Sequence, residues 1–115
     1  MEIRVSPFAK NIYAQIEEAG TAGFNPERVK FGGIEKALKE LKDYILVLSA
    51  ETVIAKTAAE KCITLILAGK KSGNEITLDE ARRKSGLTRR VLIPLLEYLD
   101  AQGKTVRNDS GRFVR

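Results

Sequence analysis

The side chains of this chain that could do chemistry are nearly all arginines. Arg82-Arg83-Lys84, Thr88-Arg89-Arg90, Arg107, Arg112 and Arg115 all fall in the last third of the sequence. A guanidinium is a planar fork of donors that keeps its charge at any ordinary pH. It pairs with phosphate oxygens and base edges and is a poor proton acceptor. These residues therefore point to recognition of an anion rather than to bond-making. The chain has no His, which removes triads, His-ligated metals and most general-base schemes. Glu17-Glu18 and Asp79-Glu80 are adjacent pairs, and neighbours in sequence on a helix point in different directions. Cys62 sits on an apolar stripe and reads as core. "GKKSG" lacks the spacing of a phosphate-binding loop, and Gly32-Gly33 has no partner glycine at dinucleotide-fingerprint spacing. No catalytic residue, metal site or cofactor is expected.

The charge is placed unevenly. Residues 1–57 hold eight Lys and Arg against eight Asp and Glu, and residues 58–115 hold twelve against seven. The whole net charge of +5 thus lies in the second half. Such asymmetry suggests nucleic acid or a membrane surface as the partner. A single Cys cannot close an internal disulfide, which fits a reducing, cytoplasmic setting. No apolar run approaches the roughly 18 residues a membrane span needs, and "MEIRVSPFAK" lacks the apolar core of a signal peptide.

The elements that must position the arginines can be read from periodicity and stop signals. Ser6-Pro7 starts a helix carrying Phe8, Ile12, Ile16 and Ala19, which Gly20 ends. Pro26 to Lys30 is a short turn of helix. Ile34, Ala37, Leu38 and Leu41 form the stripe of an amphipathic helix ending near Asp43. "YILVL" and "TVIA" read as paired strands around "SAE". Thr57 is placed to cap a helix bearing Cys62, Ile63, Ile66 and Leu67, with "GKKSGN" as its flexible end. Thr77, with Glu80 three residues on, is a capping-box start for a helix over Leu78 to Lys84. Gly86 turns the chain. Thr88 caps a longer helix through Gln102, with Leu92, Leu95, Leu96 and Leu99 on one face and Pro94 bending it. "KTVR" and "RFVR" alternate around Asn108-Asp109-Ser110-Gly111 as a hairpin.

Helix, short helix, turn, longer helix and hairpin thus occur twice in order. That is the order of a winged helix, a helix-turn-helix followed by a two-stranded wing. The expected fold is mostly α with short β-hairpins, as two tandem winged-helix domains. Residues 1–56 would be a charge-neutral unit and 57–115 a basic one, joined rigidly through the helix around 57–70. In the second unit the N-terminus of the longer helix adds free N–H groups and partial positive charge to Thr88, Arg89 and Arg90. Arg82, Arg83 and Lys84 lie across the turn, and Arg107 and Arg112 flank the wing tip. The expectation is that these residues gather on one rim and bind nucleic acid.

The segment "SGLTRRVLIPLLEYLDAQGKTVRNDSGRFVR" resembles the end of bacterial selenocysteine-specific elongation factors. The positions that carry the resemblance are Thr88-Arg89-Arg90, Pro94-Leu95-Leu96-Glu97-Tyr98, Asp100, Gly103, Thr105-Val106-Arg107 and Arg112. It is close from Ile76 onward and weak over residues 1–75. The resemblance implies a string of winged helices at the rear of a translation GTPase related to elongation factor Tu. The last of them grips an mRNA hairpin and tethers the charged tRNA at an in-frame UGA codon on the ribosome. The chain has no GxxxxGK[ST] loop, so it would be the C-terminal part of such a factor, not its GTPase. The partners implied are an mRNA hairpin and, through the full-length factor, the ribosome, with the chain itself a monomer.

Two other readings compete. A DNA-binding winged-helix regulator would read base edges from the exposed face of the longer helix and bind as a dimer. A protein-interaction module would use an exposed apolar patch and tolerate loss of the arginines.

Overall fold

The computed structural model describes residues 4–29 and 32–115. It is helix-rich with two small antiparallel sheets, consistent with a winged helix. Contacts divide the chain into two compact units, Met1–Ala59 and Glu60–Arg115.

The first unit opens with α1 (Pro7–Ala19). Ser6 is in extended backbone and its hydroxyl accepts the Ala9 N–H at 3.3 Å, with Pro at the first helical position, so the start agrees with the sequence signal. Gly20, at φ 54°, ends the helix. A 3-10 turn over Pro26–Arg28 stands where the short helix was expected, and Lys30 lies outside the described residues. α2 (Ile34–Glu40) is shorter than its stripe suggested, because the chain tightens after Glu40 and Tyr44 N–H bonds Leu41 C=O at 2.7 Å. β1 (Ile45–Ser49) and β2 (Thr52–Ala55) pair antiparallel, and Phe24 pairs with Val53 beside them. Ala9, Ile12, Tyr13, Ile16, Ala37, Leu41, Ile45, Val53 and Ala55 form this unit's core. Phe8, placed on the stripe by spacing, is instead exposed, and Ala9 takes the buried position.

The helix α3 (Lys56–Leu67) follows β2 with no loop between. This corrects the expected cap at Thr57. Lys56 N–H still bonds Tyr44 C=O at 2.8 Å, so the strand hands over to the helix at Lys56 and Thr57 lies within the first turn. The boundary between the two units falls inside α3.

In the second unit come α4 (Leu78–Ser85), α5 (Arg89–Ala101), β3 (Thr105–Asn108) and β4 (Gly111–Val114). The expected stripe of α5 is all buried: Leu92, Leu95, Leu96 and Leu99, joined by Val91. The helix runs on through Pro94, which withholds one backbone donor. β3 and β4 pair with Arg107 opposite Arg112 and Asn108 opposite Gly111. Segment 73–76 lies along the other edge of β4. Gly73 N–H bonds Val114 C=O at 2.7 Å, Val114 N–H bonds Asn74 C=O at 2.8 Å, and Ile76 N–H bonds Arg112 C=O at 2.8 Å. The hairpin therefore has a partner on its β4 side and, through side chains, α5 on one face.

Candidate nucleic-acid interface

The turn between α4 and α5 sets the geometry. Gly86 has φ 73°, a left-handed value that suits glycine, and its N–H closes α4 on Arg82 C=O at 2.8 Å. Leu87, 3% exposed, anchors the turn in the core. Thr88 then enters α5 in extended backbone, as expected of an N-cap, but its hydroxyl makes no cap hydrogen bond. At α4 the expected cap is made in part: Thr77 Oγ1 accepts Glu80 N–H at 3.2 Å. The Glu80 carboxylate instead meets Lys70 Nζ at 2.5 Å, and Lys70 also donates to Glu75 C=O at 2.7 Å. That hydrogen bond with Lys70, offset in part by burial and helped by nearby basic charges, holds the Glu80 carboxyl below its usual value.

The two helices carry their charges oppositely. α4 has Asp79 and Glu80 in its first turn and Arg82, Arg83 and Lys84 in its last. This matches the helix dipole. α5 has no acidic residue in its first turn and begins with Arg89-Arg90. The Arg89 guanidinium stands at the positive end of its own helix, a position that favours an anion nearby.

The predicted residues fall into distinct settings. Arg82 and Arg83 are exposed and line a shallow cleft of about 440 Å³ with Asp79, Gly86 and Leu87. Thr88, Arg89, Arg90 and Arg107 are exposed. Lys84 is half-buried and donates to Ala68 C=O at 3.2 Å, so its ammonium ties α4 to the chain beyond α3. Arg112 departs from the expectation of an open wing-tip guanidinium. Its side chain is only 12% exposed and forks onto Asp100: Nε donates to Oδ1 at 3.1 Å and Oδ2 at 3.2 Å, and Nη2 to Oδ2 at 2.9 Å. Thr105 Oγ1 donates to Asp100 Oδ1 at 2.5 Å. The physical reason is register. Arg112 and Thr105 lie on the hairpin face that meets α5, where a carboxylate waits.

The wing is thus anchored at Asp100, eleven residues along α5 from Arg89, roughly 16 Å at the helical rise. Arg82 and Arg83 are brought to the turn, whereas Arg107 is brought to the Asp100 end, close enough to bias that carboxyl. The turn arginines and Arg107 therefore stand towards opposite ends of α5 rather than meeting at a point. Sequence reasoning gave no structural part to Asp100, and the signal that could have found it was an acid one turn before the glycine that opens the hairpin. Ile93 and Val106 were also missed; they are 37% and 41% exposed, beside Arg89-Arg90 on α5 and on the outer wing face. Beyond the first turn, the exposed positions of α5 are Ile93, Glu97 and Ala101. Burial raises the Cys62 thiol above its ordinary value and leaves it a core residue. Among the described residues, no group of three or more His, Cys, Asp or Glu could hold a metal, and no helix is long and apolar enough to cross a membrane.

Comparison with known proteins agrees with this architecture. Residues 69–114 match the family model described as elongation factor SelB, winged helix. A solved structure, the crystal structure of the bacterial selenocysteine-specific elongation factor EF-Sec, aligns over 96% of the chain at 26% identity with a TM-score of 0.74. The chain spans 18% of that protein's length. No curated protein sequence matches the chain. With a helix-turn-helix, an anchored wing and both matches in agreement, residues 69–114 are similar to the winged helix of elongation factor SelB.

Proposed function

We propose that the chain is the RNA-binding, C-terminal part of a selenocysteine-specific translation elongation factor, built as two tandem winged helices. On this reading the second, basic unit grips an mRNA hairpin, the selenocysteine insertion element, and so directs selenocysteine to an in-frame UGA codon. GTP hydrolysis and contact with the ribosome would belong to the full-length factor, working in the cytoplasm. The chain itself would bind as a monomer.

The observation that carries the reading is the start of α5. Arg89 and Arg90 stand exposed at a helix N-terminus with no carboxylate in the first turn. A phosphate there would meet the Arg89 guanidinium and the positive end of the helix together. The rest of the exposed helix face favours RNA over duplex DNA. Ile93, Glu97 and Ala101 offer none of the Asn, Gln or Arg heads that read base edges in a major groove. A folded RNA is read through loops, bulges and phosphate positions, which exposed arginines next to an exposed apolar side chain such as Ile93 suit.

The test is a titration of the chain with three labelled probes at two salt concentrations: a stem-loop RNA, the DNA stem-loop of the same sequence and a random duplex DNA. The expected result is preference for the RNA, weakened by salt and by Arg89→Ala. Equal or tighter binding to duplex DNA would replace this reading with the regulator, and binding to no nucleic acid would end it.

A further inference from the structure

The forked ion pair of the second unit places an acid, Asp100, beside the wing arginines of the proposed RNA interface. We propose that Asp100 is a positioning residue for that interface: it holds the wing against α5 and thereby sets where Arg107 stands. This inference rests on the RNA-binding reading for its consequence, but its structural half stands apart from it.

Three donor groups converge on one carboxylate, Arg112 Nε, Arg112 Nη2 and Thr105 Oγ1. A charge-assisted fork is both stronger and more directional than a single contact. Arg112 and Thr105 come from the two strands of the hairpin, so Asp100 grips both at once. Arg107 is the cross-strand neighbour of Arg112 and lies two residues from Thr105, on the same face. Fixing those two residues fixes the backbone that carries Arg107. The side chains of Arg112 and Asp100 are 12% and 24% exposed, which shields the pair from solvent more than a surface ion pair. Pairing also neutralises Arg112, so the wing face next to α5 presents the charge of Arg107 alone.

Simple electrostatics and the positioning role predict opposite signs. Asp100→Asn removes a negative charge from beside Arg112 and Arg107, so by charge alone it should tighten RNA binding. By positioning it should loosen the wing and weaken binding. The first measurement is pulsed electron paramagnetic resonance on the whole chain with buried Cys62 replaced by Ala. Spin labels at Glu97→Cys on α5 and Asp109→Cys at the wing tip report the helix-to-wing distance. A narrow distribution is expected, broadening with Asp100→Asn and with Arg112→Lys, which keeps the charge but loses the fork. An unchanged distribution overturns the proposal whether or not RNA binds.

The second measurement is a double-mutant cycle on stem-loop RNA affinity, without labels. Asp100→Asn is expected to weaken binding about five- to tenfold, and Arg107→Ala to cost less in that background than in wild type. Tighter binding, or equal Arg107→Ala losses in both backgrounds, overturns the proposal. Should wild type bind no stem-loop, the functional reading falls, and the label distances still decide the role of Asp100.

Discussion

Arg112 of the wing and Asp100 of α5 form a forked ion pair whose shortest contact is 2.9 Å, between residues twelve apart in sequence. Burial by itself pushes the Asp100 carboxyl up. Hydrogen bonds from Arg112 and Thr105, with the nearby charges of Arg112 and Arg107, outweigh it and leave the carboxyl below its ordinary value. A carboxyl that titrates lower in the folded state adds stability above its unfolded value, about 3.9, and that stability is lost as pH falls from there towards the folded value. Thermal melts should therefore hold steady from pH 7 to about pH 5 and decline below about pH 4. Asp100→Asn should melt lower at pH 7 and decline less steeply in acid. Parallel pH profiles for the two proteins would contradict the assignment.

In the first unit a comparable link joins the start of α1 to the end of α2. The Glu40 carboxylate accepts Ser6 N–H at 3.1 Å and Ser6 Oγ–H at 3.0 Å, while Ser6 Oγ accepts Ala9 N–H. Ser6→Ala loses both the cap and the hydroxyl link, at a cost of about 1 kcal/mol. Glu40→Ala should cost a similar amount, and the double variant less than the sum, because both remove one network. Hydrogen exchange of the α1 amides measures this directly, and strictly additive losses would show that the two groups act independently.

Features encoded within one turn or one helix were legible in the sequence. The Leu92, Leu95, Leu96 and Leu99 stripe comes from a 3.6-residue period, and Gly86 and Gly20 mark ends because glycine takes positive φ cheaply. The hairpin register was set by Asn108 to Gly111, where Asn108 Oδ1 accepts Ser110 N–H at 2.8 Å. Long-range side-chain pairing was not legible. Ser6 and Glu40 are thirty-four residues apart, and nothing local in either predicts the other. Arg107 and Arg112 look equivalent in sequence, since both flank the wing tip. They differ because Arg112 reaches a carboxylate on a neighbouring helix, which only packing determines. The bond from Lys84 to the Ala68 carbonyl was not legible for the same reason, since a basic residue at a helix end can serve a carbonyl as readily as a phosphate.

The buried face of α5 should dominate the stability of the second unit. Leu96 is 1% exposed and Leu95 fully buried. Leu96→Ala leaves a cavity in a close-packed interior and is expected to cost about 2–5 kcal/mol. Urea unfolding followed by circular dichroism would show it as a lower midpoint for the second unit. A loss below about 1 kcal/mol would mean the neighbouring side chains collapse into the space.

Arg89 and Lys84 separate a phosphate contact from a structural one. Arg89 is exposed at the positive end of α5, so its guanidinium can meet a phosphate without first breaking a bond described in the structure. Arg89→Ala should weaken stem-loop RNA binding and lower the slope of log affinity against log salt by about 0.7, the share of one phosphate on a single strand. Lys84 is half-buried and its ammonium already bonds Ala68 C=O. Lys84→Ala should lower the melting temperature of the second unit while leaving the salt slope close to that of wild type. Affinity measured at four salt concentrations distinguishes the two. A slope reduced by Lys84→Ala and unmoved by Arg89→Ala would place the phosphate path on α4 and away from the start of α5.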